Sequence, residues 1–263
     1  MSDAVLFDAR DDGIAVITLN RPEARNALGK EIREGLFAAW DRFERDPALR
    51  VAILTGAGDK AFCTGGDQKI HQNETGLYGP RGTVGMPIEE MQTALRDLRK
   101  VSIAKVQGFA IGGGNVFATL CDMTIASEKA TFGQVGPKVG SVDPGWGTAY
   151  LARIVGEKKA REIWFLCRRY TAAEAEKMGL VNKVVPHDQL DAEVDQWCKE
   201  INEMSPTALT IAKRSFNADS ENIRGIGFLG IQTVKHYYQS DESKEGVRAF
   251  NERRKPDFKK YAS

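Results

Sequence analysis

The sequence predicts an α/β fold: strand-then-helix units fill the first part of the chain and a helical layer closes it. Two observations carry this. Apolar, β-branched runs at 14–19, 51–55, 103–106 and 123–126 alternate with segments of helical spacing, and after about Gly145 the strand signals thin out while the helical period persists. The first unit opens with a hairpin: Val5, Leu6 and Phe7, the turn signal Asp11-Asp12-Gly13, then Ile14–Leu19. Arg21-Pro22 breaks that strand, and Ile32, Leu36, Ala39, Trp40 and Phe43 recur at helical spacing until Asp46-Pro47. The run 51–55, bounded by Gly56, fits a strand buried on both faces. Further on, helices are expected over 151–167, 188–204, 206–217 and 221–238, with Pro206 placed as a first-turn residue. No Pro/Gly/Ser linker separates the parts, so a core over 1–200 and a helical region over 201–263 read as one integrated domain.

Composition narrows the function. Lys and Arg number 37 against 36 Asp and Glu, which argues against a nucleic-acid stripe or a polybasic membrane anchor. Hydrophobic residues at 42% supply enough apolar surface for a core. Cys63, Cys121, Cys167 and Cys198 follow no CxxC pattern, so no metal site is expected and the thiols read as reduced, in a cytoplasmic protein. No stretch approaches a membrane span, and the N-terminus lacks the pattern of a secretion signal.

Several motifs are absent or misleading. There is no GxxxxGK[ST] and no GxSxG. Gly225-Ile226-Gly227-Phe228-Leu229-Gly230 spells GxGxxG but lies in a helical pattern outside any βαβ unit, so it reads as helix-packing glycine. His187 and His236 lack metal-ligand spacing; His71 sits in a loop near Asp67.

Two glycine clusters follow apolar strands: Ala61-Phe62-Cys63-Thr64-Gly65-Gly66-Asp67-Gln68 and Gly108-Phe109-Ala110-Ile111-Gly112-Gly113-Gly114-Asn115. Glycine between a strand and a helix leaves N–H groups uncovered at a helix start, where they can bind developing negative charge. Two such groups facing each other make an oxyanion hole, whereas one cluster alone is more simply a tight turn.

With Asn20-Arg21-Pro22, Arg25-Asn26-Ala27, Cys121-Asp122 and Phe132-Gly133-Gln134, these clusters resemble the crotonase (enoyl-CoA hydratase/isomerase) superfamily over essentially the whole chain. The resemblance implies a spiral of ββα units, a trimer or hexamer, an acyl-CoA substrate and an oxyanion hole from the N–H groups of Gly66 and Gly113. It implies coenzyme A held near Arg25 to Ala27 and Ala61 to Gln68, with Gly65 and Asp67 in that stretch, and no separate cofactor. Coenzyme A carries phosphates, for which Arg25 and the tail residues Arg253, Arg254 and Lys255 offer local cations.

Hydratases of this superfamily carry glutamates at the positions that here hold Val116 and Gly136, so simple hydration is disfavoured. The segment from Gly133 to Asp143, with Lys158 to Trp164 and Tyr237-Tyr238, resembles two ring-active groups: ring-closing dihydroxynaphthoyl-CoA synthases and ring-opening 2-ketocyclohexanecarboxyl-CoA hydrolases. Val142-Asp143-Pro144-Gly145 and the segment from Arg81 to Pro87 favour the hydrolases. The expected roles are then Asp143 as general base on water, and Ser141 and Tyr238 as hydrogen-bond donors to the ketone. Tyr78 and His71 would close over the ring. Gln134 and Trp164, beside Gly136, would hold bicarbonate or another small anion, as the matching residues do in the synthases. Each has a plainer reading: Asp143 as a turn residue, Tyr238 as a surface aromatic, Trp164 as core. A non-catalytic acyl-CoA-binding relative is the remaining alternative.

Overall fold

The computed structural model describes residues 3–68 and 88–261. Its larger sheet has six strands: β1 (Val5–Ala9), β2 (Ile14–Leu19), β3 (Val51–Gly56), β5 (Val101–Val106), β7 (Met123–Ser127) and β10 (Lys183–Val185), in the order β1-β2-β3-β5-β7-β10. The opening hairpin pairs antiparallel, and every later neighbour pairs parallel. A smaller sheet has the order β4-β6-β8-β9, from Ala61–Cys63, Phe109–Ile111, Thr131–Gly133 and Tyr170–Thr171.

Alternation along the strands divides the larger sheet into two faces. Ile14, Val51, Ile53, Ile103 and Ile125 form one apolar cluster with Leu190, Val194 and Cys198 of an outer helix, α7 (Leu190–Asn202). Ala15, Ile17, Ala52, Leu54 and Ala104 turn the other way, into the main core. That core also takes Phe62 and Phe132 of the smaller sheet, and it is covered by α1 (Lys30–Arg45), α2 (Ile88–Asp97) and α3 (Gly113–Leu120). The two sheets and their helices thus repeat as strand, short strand, helix, the α/β architecture the sequence implies.

After β8 come a 3-10 turn (Gly136–Val139), a wide π turn (Trp146–Tyr150), α4 (Leu151–Val155), α5 (Glu157–Leu166) and α6 (Ala172–Lys177). Beyond α7 lie α8 (Pro206–Asp219), α9 (Asn222–Tyr237) and α10 (Asp241–Asn251). The expected helix over 151–167 is broken at Gly156, which has φ +80° and separates α4 from α5. The GxGxxG string lies inside α9 and packs, as expected: a Cβ on Gly230 would meet the Pro144 side chain at 2.4 Å, and Gly227 faces Gly145. This close approach presses Asp143-Pro144-Gly145 against the helix. Ile223, Ile231 and Val234 of α9 belong to the main apolar core.

All four cysteines are buried and unpaired, and burial pushes Cys63, Cys121 and Cys198 up to about 12. Among the described residues no helix is long and apolar enough to cross a membrane, and no acidic, His or Cys cluster is arranged to hold a metal.

Candidate active site

Parallel pairing of β4, β6 and β8 brings the segments that follow all three strands to the same edge of the smaller sheet. There Gly65-Gly66, Gly112-Gly113 and Gln134-Val135-Gly136 border one cavity of about 650 Å³, mouth included. Ser141, Val142, Asp143, Trp164, Tyr238, Leu28, Gln68 and Ile88 complete much of its wall.

The two glycine turns touch. Gly65 has φ +80°, and a Cβ there would sit 2.9 Å from the Gly113 nitrogen, so glycine is required both by conformation and by contact. Gly113 is the first residue of α3 and its N–H lies outside the intrahelical ladder, at the positive end of the helix. Leu28 bridges to Gly66, donating its N–H to Gly65 O at 2.8 Å and accepting from Asp67 N at 3.1 Å. Among the described residues none accepts from the N–H of Gly66 or Gly113, and both residues line the cavity.

Opposite them stands a polar group assembled from three elements. Ser141 Oγ and Tyr238 OH are 2.8 Å apart, and the Tyr238 O–H donates to Val142 O at 3.2 Å. Tyr238 is 3% exposed, and burial above all raises its phenol so that it keeps its proton. Asp143 Oδ2 accepts from Gln92 Nε2 at 2.5 Å and Oδ1 accepts from Gly147 N at 3.2 Å. Burial pushes the Asp143 carboxyl up to about 6; the two hydrogen bonds oppose the shift and the Glu89 charge adds to it. Such a group is ionised at neutral pH yet basic enough to take a proton from water. Asp143 is the sole acidic residue among the described residues lining the cavity.

Gly136 decides what chemistry this wall can support. A Cβ built there would lie 2.5 Å from Ser141 O and 2.8 Å from the Trp164 ring. A glutamate at this position has no room, and the other hydratase position is filled by Val116, 1% exposed.

The remaining expected residues fall partly inside and partly outside this wall. Trp164 donates its single N–H to Gly147 O at 2.6 Å, so it offers the cavity a ring face and no donor for an anion. Gln134 does face the cavity, 2% exposed and without a side-chain hydrogen bond among the described residues. Asp67 pairs with Arg21 at 3.1 Å and braces the turn from behind; it does not line the cavity. Lys255 is exposed on the tail, also away from the described lining. Tyr78 and His71 lie outside the described residues.

Arg25 is exposed in a left-handed conformation (φ 53°), 5.9 Å from the Phe109 ring, where a phosphate can reach it. Ala27 is buried beside it, its carbonyl accepting from Arg21 Nη1 at 3.0 Å. Ala61 O accepts from Asn26 Nδ2 at 2.8 Å, which ties the Arg25 turn to β4. The sequence reading missed Arg169, a second cation near Arg25, lowered first by burial and also by the Arg25 charge. It also missed Gln92 and Glu89, whose importance depends on α2 meeting a segment about fifty positions later. His187 forms a string with Ser127 (3.0 Å) and Asp59 (3.8 Å), but Ser127 is fully buried and cannot serve as a nucleophile.

The sequence profile described as enoyl-CoA hydratase/isomerase matches residues 9–261. The chain belongs to that family. Solved structures agree. An enoyl-CoA hydratase from Mycobacterium avium subsp. paratuberculosis K-10 is 29% identical, with TM-score 0.85 over 97% of this chain and 98% of that one. A carnitinyl-CoA dehydratase from Mycobacterium avium 104 is 30% identical, with TM-score 0.83 over 98% and 99%. A monofunctional enoyl CoA isomerase from M. smegmatis is 31% identical, with TM-score 0.71 over 83% and 94%. This chain is thus an acyl-CoA-processing enzyme of the family, with the mixed α/β fold and C-terminal helices of those neighbours.

Proposed function

We propose that this family member hydrolyses a carbon–carbon bond in the ring of a cyclic β-keto acyl-CoA, of the type 2-ketocyclohexane-1-carboxyl-CoA. The observation that carries the reading is the closed space at Gly136: the cavity has no room there for a hydratase carboxylate and instead sets Asp143 beside the Ser141–Tyr238 pair.

That arrangement supports one course of reaction. Asp143 takes a proton from water, and the hydroxide adds to the ring ketone, whose oxygen replaces Val142 O as the acceptor from Tyr238 and takes a second hydrogen bond from Ser141. The tetrahedral adduct collapses by breaking the bond between the former ketone carbon and the carbon next to the thioester. The electron pair of that bond becomes the thioester enolate, whose oxygen is held by Gly66 and Gly113 N–H. Protonation of the α-carbon by the acid form of Asp143 returns the base and yields a linear dicarboxylic mono-CoA thioester. One water is consumed, and the thioester survives.

Gln134 supports a water or small-anion site beside Gly136, a site that dependence of turnover on added bicarbonate tests. Exposed apolar side chains on the C-terminal helices, among them Phe216, Phe228 and Leu229, support a homotrimer or homohexamer. Incubation with 2-ketocyclohexane-1-carboxyl-CoA and, separately, succinylbenzoyl-CoA tests the function. Ring-opened product from the first supports it; naphthoyl-CoA absorbance from the second favours the synthase reaction, and a tight complex without turnover favours a binding protein.

A further inference from the structure

Gln92 is 2% exposed on the face of α2 that otherwise buries Ile88, Met91, Leu95 and Arg96. A carboxamide on such a face is costly unless its hydrogen bonds are made. The bond that Gln92 makes among the described residues goes to Asp143 Oδ2, at 2.5 Å. A buried polar side chain is thus committed to one carboxylate across 51 positions of sequence.

Few of the described residues surround that carboxylate. From α2 comes Glu89, one turn before Gln92, its Oε2 buried without a hydrogen-bond partner among the described residues. Lys235 of α9 acts on Glu89, and Tyr238 stands at the end of the same helix. Gly147 N–H comes from the turn that follows Asp143. Arg96, the cation of α2, is turned to the Trp146 and Tyr150 rings and to Ser220.

A carboxamide differs from the Gly147 N–H in one respect: it presents an N–H to a carboxylate or, turned over, an oxygen to a protonated acid. Asp143, as base and then acid, needs a partner for each state. We propose that Gln92 is a positioning residue that holds Asp143 toward the cavity in both of its protonation states. The proposal rests on the assignment of Asp143 as the base in ring cleavage.

Two variants of similar length test it. Gln92→Met removes the donor that favours the charged carboxyl, so the acid limb of kcat moves to higher pH by about one unit, with KM within about two-fold. Gln92→Glu places two carboxyls across one hydrogen bond, where they share a proton. Its activity is retained at acidic pH and declines as the pH rises and that proton is lost, opposite in slope to the parent enzyme. The Asp143 carboxyl is also titrated without substrate, by NMR of protein labelled with carboxyl-13C aspartate, using Asp143→Asn to assign the signal. A rise in its midpoint in Gln92→Met, matched by the kinetic limb, supports the proposal. An unchanged midpoint in both variants, or a change confined to KM, overturns it. If the midpoint moves but no form, parent included, cleaves the ring, the ring-cleavage reading fails while the link between Gln92 and Asp143 stands.

Discussion

The Ser141 hydroxyl and the Tyr238 phenol stand 2.8 Å apart although 97 positions separate them in the chain. Gly140, with φ +69°, packs on α10, where Ser243 Oγ donates to its carbonyl at 2.6 Å, and Tyr238 caps the C-terminal end of α9. Tyr238→Phe keeps the ring and removes the donor. It is expected to lower kcat by about 10²-fold, the scale of one lost hydrogen-bond donor to a developing oxyanion, with KM little changed in steady-state kinetics.

Asp143 gives the pH dependence its sign. Its carboxyl lies at about 6, above its ordinary 3.8, so kcat/KM rises with pH through about 6 as the base ionises. Stability runs the other way: a carboxyl that binds its proton more tightly when folded contributes most below its unfolded value and loses that contribution as the pH rises through about 6. Asp143→Asn is therefore expected to be more stable than the parent at pH 7, by up to about 3 kcal/mol, an advantage that vanishes near pH 4. Denaturant melts at the two pH values check the stability. If turnover stays within a few-fold of the parent, the base has been misassigned.

The touching glycine turns make a second test. Gly65→Ala forces a Cβ to 2.9 Å from the Gly113 nitrogen at a backbone angle that alanine resists. Displacing one donor of the hole is expected to cost about 10²–10³ in kcat, while circular dichroism stays that of the parent.

Away from the cavity, Lys213 is 7% exposed and donates to Asp122 Oδ2 at 2.7 Å and to Lys100 O at 2.9 Å, joining α8 to the larger sheet. Lys213→Met leaves Asp122 without its cation and is expected to destabilise the protein by about 3 kcal/mol. KM for the acyl-CoA should be unaffected. Combining it with Asp122→Asn should recover part of the loss in denaturant melts.

The sequence exposed some of this more readily than the rest. The hairpin, the central strands and the glycine clusters were legible because alternation and strand-to-helix glycines are local signals. The strands Thr131–Gly133, Tyr170–Thr171 and Lys183–Val185 were not, being too short for a period. Helix α10 was hidden because its buried face contains Ser243, Glu245 and Gly246, which are inside through contacts with the Gly140 turn and with Arg254. Asp143, Ser141 and Tyr238 could be named from resemblance alone, but the commitment of the Trp164 N–H to Gly147 and of Gln92 to Asp143 exists only in the folded chain.

The central claim is that water enters the ring ketone and leaves the thioester whole. It is tested most directly by mass spectrometry of the product formed from 2-ketocyclohexane-1-carboxyl-CoA in H2(18)O. Ring cleavage by water gives a linear mono-CoA dicarboxylate with one 18O in the new carboxyl group and no release of free coenzyme A. Free coenzyme A with an intact ring, or an unconsumed thioester alongside rapid hydration of an enoyl-CoA, would contradict it.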